Sequence, residues 1–250
     1  MQVQILFLLP MAFLLPPRAQ AGEIIGGHEA EPHSRPYMAH LLIQRANKSR
    51  CGGFLVKPTV VLTAAHCQGE SITVVLGAHN VSQWEPSQQV IPVQRQIPHP
   101  QYNRKTLNND IMILQLAKSS QLGKWVKTIP LPEDESEVEP EDVCSVSGWG
   151  KISLEEHTNT LHVVNLTVTE DHECKARYPA SYEPDTMLCV GNPRKKKTAF
   201  EGDSGSPLVC KKKAQGIVSY GNSRPLPPRV FTRIASFLPW IQETLEQFQP

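Results

Sequence analysis

After residue 21 this chain of 250 residues holds no apolar run of bilayer-spanning length, so its body gives no reading as a membrane anchor. Charge of one sign is equally scarce. The 25 Lys and Arg balance 24 Asp and Glu, leaving +1 with histidines neutral, which excludes the strong global field that gathers nucleic acid. No internal repeat and no low-complexity tract is present, which gives no sign of a repeat solenoid. His79, His99, His162 and His172 lack metal-ligand spacing; packing or surface roles are expected for them, with no metal and no cofactor. Basic side chains are also missing from Met1 to Gln4, where a secretory leader usually carries one.

The next seventeen or so residues still read as a leader. Ile5 to Leu9 and Met11 to Leu15 are apolar, Pro10 interrupts them, and Ala19-Gln20-Ala21 gives the small-residue pattern of a cleavage site. Residues 1–21 are therefore read as a signal peptide. Arg18 and Glu23 lie outside a mature chain starting at Ile24, which keeps its balance of +1. Secretory entry meets an oxidising compartment, so the six cysteines suggest three bridges; fifteen pairings are open on sequence grounds, as are buried free thiols. Sequons at Asn47, Asn80 and Asn165 fit a secreted glycoprotein.

Short apolar or alternating runs dominate the body: Phe54 to Val56, Val60 to Leu62, Ile72 to Leu76, Ile111 to Leu114, Leu161 to Leu166 and Gly216 to Tyr220. Gly, Pro and polar turns separate them, the signature of an all-β barrel or sandwich. Leu238, Ile241, Leu245 and Phe248 recur at helical spacing after Ser236, a candidate N-cap, with Pro239 tolerated in the first turn; one closing helix is expected. Pro130 to Pro140 reads as an acidic, solvated connection between halves.

A serine hydroxyl is a poor nucleophile at neutral pH, so serine catalysis needs an imidazole to take its proton and a carboxylate to orient the ring. Ser204 in Gly202-Asp203-Ser204-Gly205, His66 in Thr63-Ala64-Ala65-His66-Cys67 and Asp110 in Asn109-Asp110-Ile111 can supply all three. With this chain order, and with Ile24 to Ala30, Pro32 to Met38 and Leu76 to Asn80 around them, the sequence resembles the chymotrypsin-like serine proteases. The match is to their granzyme, cathepsin G and mast-cell chymase branch, closest to granzyme B-like members, from about Ile24 to the C-terminus.

The resemblance implies a trypsin-like fold of two packed six-stranded antiparallel β-barrels with a C-terminal helix, the cleft between them taking His66 and Asp110 from the first and Ser204 from the second. It implies residues 24–250 as one peptidase domain behind an activation dipeptide, 22–23, and the pairs Cys51–Cys67, Cys144–Cys210 and Cys174–Cys189. It assigns Ser204 as nucleophile, His66 as base and then acid, Asp110 as orienter, and the amides of Gly202 and Ser204 as an oxyanion hole. Asp203 is expected to pair with the α-amino group of Ile24 once a dipeptidyl peptidase has removed Gly22-Glu23, so the precursor is an inactive zymogen. Protein substrates, inhibitors of serpin type, a secretory, cytolytic granule and a monomer are implied by the same likeness.

For the substrate pocket, Thr198 and Ala199 stand where trypsin-like members keep an aspartate, which disfavours Lys and Arg. Arg229 matches an arginine at the pocket floor of granzyme B-like members and points to cleavage after Asp, with a role in cytotoxic killing. Glu201 at the rim is expected to pair with Arg229 or to repel an acidic substrate. Ser219, Tyr220 and Gly221 resemble the strand that pairs with substrate backbone, and Leu107 shapes neighbouring subsites. Phe200 and Pro225 replace a cysteine pair of many relatives, as in granzymes and chymases. Ser206 stands where the family has glycine, a source of strain if its φ is positive. Arg194 to Lys197 and Lys211 to Lys213 are candidate grips for sulfated glycosaminoglycan, or plain solvated charge. Two other functions stay open: a chymase- or cathepsin G-like preference for aromatic residues, and a low-activity antimicrobial or glycosaminoglycan-binding homologue.

Overall fold

A computed structural model of the chain describes residues 26–134, 138–151, 157–195, 197–199, 201–224 and 226–248. The leader and dipeptide readings, Ile24, Lys196, Phe200 and Pro225 lie outside the described residues.

The first lobe is a closed barrel in the order β2-β3-β4-β7-β6-β5. Its strands are β2 (Met38–Gln44), β3 (Ser49–Lys57), β4 (Val60–Thr63), β5 (Ser71–Leu76), β6 (Gln89–Pro98) and β7 (Met112–Leu116). Its interior is filled by the apolar runs read from the sequence: Phe54, Leu55, Leu62, Leu76, Ile113 and Leu114 are fully buried. Each such side chain contributes about 1.5–3 kcal/mol on leaving water.

The second lobe is a seven-stranded sheet ordered β1-β9-β8-β11-β12-β13-β10. It comprises β1 (His28–Glu29), β8 (Val143–Gly148), β9 (His162–Thr167), β10 (Met187–Val190), β11 (Pro207–Cys210), β12 (Lys213–Tyr220) and β13 (Arg229–Arg233). An isolated bridge, Val168 with Val190, brings the ends of β9 and β10 together, so six strands curl into a second ring and the two-residue β1 is an added edge. The two-barrel expectation holds with that refinement.

Two α-helices are present among the described residues, α1 (Asp171–Arg177) and α2 (Leu238–Glu246). α1 is too short to leave a periodic signal. Ser236 is not the cap of α2: it sits inside a 3-10 turn, Ile234–Phe237, its hydroxyl donating to Asp185 O at 2.6 Å, and Phe237 takes the cap position. Pro239 in the first helical turn leaves no amide unsatisfied there. Ile241 and Leu245 of α2 join Ile234 and Phe237 in the core of the first barrel, so the end of the chain clasps one lobe to the other.

The cysteines pair as the resemblance implied. Cys51–Cys67, Cys144–Cys210 and Cys174–Cys189 have S–S distances of 1.96, 2.06 and 2.04 Å. The acidic connection is tied down at Glu133, whose Oε1 lies 2.9 Å from Lys213 Nζ.

Candidate active site

Strand register brings His66 and Asp110 together. Thr63 at the end of β4 faces Met112 at the start of β7 in an antiparallel ladder, so the chain leaving β4 and the chain entering β7 run side by side. His66 lies three residues past Thr63 in a 3-10 turn, Ala65–Cys67, and Asp110 two residues before Met112. The Asp110 carboxylate is fully buried; Oδ2 is 2.7 Å from His66 Nδ1 and Oδ1 accepts the His66 backbone N–H at 2.9 Å. A buried carboxylate is tolerable only with such partners.

Two further partners come from the second lobe. The Ser219 hydroxyl donates to Asp110 Oδ2 at 2.5 Å, and the Thr232 hydroxyl donates to Asp110 O at 2.8 Å. The sequence marks Ser219 only as part of a substrate strand, and its bond to the carboxylate spans 109 residues of separation that hide it. Arg45 carries no sequence signal at all. Its Nη2 donates to His66 O at 2.6 Å and its Nε to Gln68 O at 2.9 Å, clamping the turn that carries the imidazole. The Cys51 and Cys67 sulfurs lie near His66, but each is bonded to the other and neither is a thiolate ligand.

Ser204 sits on a loop slung between the lobes. Its carbonyl accepts the Gly52 N–H of β3 at 2.8 Å, while Gly205 N donates to Val218 O and Val218 N to Ser206 O, both at 2.9 Å. Cys67 Sγ is 3.8 Å from Ser204 O, so the backbone of Ser204 lies against the segment that carries His66. The Ser204 hydroxyl makes no hydrogen bond to the ring among the described residues; such bonds often tighten only when substrate packs over them. The amides of Gly202 and Ser204 donate to no protein acceptor among the described residues. Gly202 has φ +94° and a Cβ there would fall 2.8 Å from Gly150 Cα, which only glycine tolerates. Asp203 is fully buried, with Oδ1 accepting the Gly150 N–H at 3.1 Å.

The departure at Ser206 carries no backbone strain. Positive φ in this loop falls on Gly202 and Gly205, and Ser206 is not among the positive-φ residues. Its side chain fills the space over Gly52, where a Cβ would lie 2.0 Å from Ser206 Oγ. The hydroxyl is buried without a protein partner among the described residues. Ser206→Ala is therefore expected to raise stability by about 1 kcal/mol, because it removes a dehydrated hydroxyl that gives nothing back. Urea denaturation of the two proteins checks the sign, with kcat unchanged.

At the pocket, Thr198 and Ala199 are fully buried, and the Thr198 hydroxyl turns back to Ala199 O at 2.9 Å. Ser219 is buried, Tyr220 is half-buried with its hydroxyl donating to Ser181 O at 2.9 Å, and Gly221 comes directly after β12. Arg229 opens β13 and lies directly over Gly221: a Cβ there would fall 2.6 Å from both Cζ and Nε of the guanidinium. Burial pulls the Arg229 pKa below its usual range, while the charges of Tyr178, Asp203 and Glu201 push it back up. Glu201 does not pair with Arg229. Its carboxylate is engaged by Lys151 Nζ, and Lys151 N donates to Glu201 O at 2.6 Å. Leu107 takes a positive φ of 59° in the turn that precedes Asp110.

Comparison with known proteins adds identity to this geometry. The sequence profile of the trypsin family, described as Trypsin, matches residues 24–241. Human granzyme B is 54% identical over 96% of this chain and 98% of its own length, and human cathepsin G is 53% identical over 97% and 95%. A solved structure described as "Structure of GrC" superposes with a TM-score of 0.86 at 48% identity, covering 89% of this chain and all of that one. The chain belongs to the trypsin family and is a serine endopeptidase of the granzyme and cathepsin G type.

Proposed function

We propose that this serine endopeptidase is a granule-stored enzyme that cleaves after Asp through a Ser204-His66-Asp110 acyl-enzyme mechanism, with a role in cytotoxic killing. Ser204 Oγ attacks the scissile carbonyl while His66 Nε2 takes its proton and later returns it to the leaving amine. Asp110 keeps the ring's other proton on Nδ1 and stabilises the imidazolium. The two amides at Gly202 and Ser204 receive the negative charge that develops on the carbonyl oxygen; one such donor is worth roughly 3–4 kcal/mol of barrier. Acyl transfer to water completes the cycle.

The observation that supports this specificity is the Arg229 guanidinium, partly desolvated and packed on Gly221 just past the end of β12, the strand we assign to substrate pairing. A planar cation there clamps a carboxylate in two parallel bonds, and the shorter Asp fits better than Glu. Glu201 makes its ion pair with Lys151 and acts on Arg229 only through its charge.

Maturation belongs to the same reading. Signal peptide removal after Ala21 and loss of Gly22-Glu23 to a dipeptidyl peptidase free the α-amino group of Ile24 to pair with Asp203, which shapes the loop bearing Gly202. Sulfated glycosaminoglycan of the granule, serpin-type inhibitors and a monomeric enzyme complete the proposal, and Asn47, Asn80 and Asn165 are its glycosylation sites. The likeness to granzyme B and cathepsin G supports granule storage; because both kinds of enzyme are among the relatives, it does not by itself choose the pocket preference.

The test is hydrolysis of matched peptide substrates ending in Asp, Glu, Phe or Lys by the trimmed enzyme, beside a Ser204→Ala control. We expect kcat/KM for Asp to exceed that for Glu about tenfold and those for Phe and Lys by at least about a hundredfold. Preference for Phe over Asp would return the pocket to the chymase type; no turnover of any substrate would leave the binding-protein function.

A further inference from the structure

His79 joins three other stretches of chain. It lies three residues past the end of β5, and its carbonyl oxygen accepts the Trp149 Nε1–H and the Leu161 N–H, both at 2.9 Å, while its own N–H donates to Glu85 Oε2 at 2.8 Å. The buried imidazole donates from Nε2 to Glu29 Oε1 at 2.8 Å. A carboxylate only accepts, so Nε2 carries the hydrogen. His79 Nδ1 is buried with no protein partner among the described residues, which leaves Glu29 as the ring's one hydrogen-bond partner there.

The two sides of this junction lead to the two components of the proposed activation. On one side Trp149 is buried directly after β8, and the residue that follows it, Gly150, donates its N–H to Asp203 Oδ1 at 3.1 Å and packs its Cα against Gly202. On the other, Glu29 belongs to β1, which has only two residues. That strand is held to β9 by the pairing of His28 with Val163 and Glu29 with His162, and the Ala30 N–H donates to Leu161 O at 2.8 Å. Glu29 follows Ile24 by five residues, so the chain between them spans at most about 17 Å. The Glu29 side chain is 55% exposed and fills no core, so packing does not account for its contact with His79.

We propose that Glu29 and His79 are positioning residues for catalysis: their contact is a second anchor of the activated N-terminus, which keeps the α-amino group of Ile24 paired with Asp203. The inference rests on the proposed Ile24–Asp203 pair and gives it a support. A chain end is the part of a domain that frays most readily unless it is tied down. Fixing Glu29 leaves a short tether, so the amine stays at high effective concentration beside Asp203. The same imidazole belongs to the residue whose carbonyl holds Trp149, so the anchor is set against the wall on which Asp203 and Gly202 rest.

The experiment measures kcat and KM of the trimmed enzyme on an Asp substrate from about pH 7 to about pH 11, beside thermal unfolding. The pair with Asp203 needs an ammonium, so kcat is full below the ordinary pKa of an α-amino group and is lost as pH rises through the higher value that the pair imposes. Glu29→Ala is expected to weaken the active form about three- to fivefold, which lowers the alkaline midpoint of kcat by about half a pH unit and leaves KM, and kcat at pH 7, nearly unchanged. His79→Leu should do the same, and the two together should do no more than either. His79→Gln, whose amide N–H can replace Nε2–H, should keep the parent midpoint. Glu31→Ala, an exposed carboxylate two residues further on, should keep it too. A parent whose kcat stays flat to about pH 11 has no Ile24–Asp203 pair, and the maturation reading falls together with the anchor. An alkaline limb in the parent that Glu29→Ala leaves in place, or that Glu29→Ala and Glu31→Ala shift alike, overturns the anchor alone. A lower unfolding temperature in Glu29→Ala without a shift of the midpoint overturns it as well, since the pair would then be a structural contact only.

Discussion

Asp110→Asn is expected to lower kcat about 10⁴-fold while leaving the protein folded and KM nearly unchanged. The reason is the count of donors around the side chain. Oδ1 receives the His66 backbone N–H, and Oδ2 receives both His66 Nδ1–H and the Ser219 hydroxyl. An amide has one acceptor oxygen, and the backbone N–H, which cannot turn away, claims it. The new NH₂ then faces Nδ1, which must become an acceptor. The ring proton moves to Nε2, the nitrogen needed to take the proton of Ser204, and the base is lost without moving an atom of the scaffold. The Ser219 hydroxyl can rotate to accept, so stability should change little. Steady-state kinetics on an Asp substrate, beside thermal unfolding, provide the check. A variant within tenfold of the parent in kcat would mean that the carboxylate does not set the ring's tautomer.

The same aspartate marks where the sequence stops being readable. The pair His66 and Asp110 is legible because each sits in its own local surround and two strands in register bring those surrounds together. Ser219 and Thr232, which bind the same aspartate from the other lobe, carry no local mark of that role: Ser219 is marked only as part of a substrate strand and Thr232 not at all, until the lobes are docked. Arg45 is the same case, because its function lies in a clamp on carbonyls 21 and 23 residues away. At Glu201 the sequence leaves two readings, a pair with Arg229 or repulsion of an acidic substrate, and does not mark Lys151, the ion-pair partner that the fold supplies.

The strands divide in the same way. β4 and β5 are rich in buried Val, Leu and Ile and announce themselves. β6 holds its place between β5 and β7 with polar side chains and two prolines, Pro92 and Pro98, and only Ile91 in it is fully buried; barrel closure overrides its weak local preference. Ser206 in a glycine's place suggests a strain that the backbone does not have, since the sign of φ is set by the loop and not by the residue type. The sequence carries the chemistry at each of these positions and leaves the partner to the fold.

The second large effect concerns the pocket. Arg229→Ala should reduce kcat/KM for an Asp substrate about 10³-fold, the scale of about 4 kcal/mol expected when one member of a desolvated, hydrogen-bonded charge pair is removed. Activity after Phe should hold or rise in the same protein, because the vacated volume is uncharged and His66, Asp110 and Ser204 are untouched. Arg229→Lys keeps the charge but not the fork, and should fall between, about 10- to 100-fold below the parent on Asp. A third variant reaches the guanidinium without altering it. Gly221 has no Cβ, and one added there would lie 2.6 Å from Cζ and Nε, so Gly221→Ala must displace the arginine and should mimic its removal. Loss on Asp and retention on Phe in both Arg229→Ala and Gly221→Ala would fix the cation as the specificity element. Parallel loss on every substrate would mean a damaged fold, and unchanged Asp hydrolysis in Arg229→Ala would place the carboxylate elsewhere. The distinction is thermodynamic: an interaction with one side chain can alter only the ratio between substrates that carry it and those that do not.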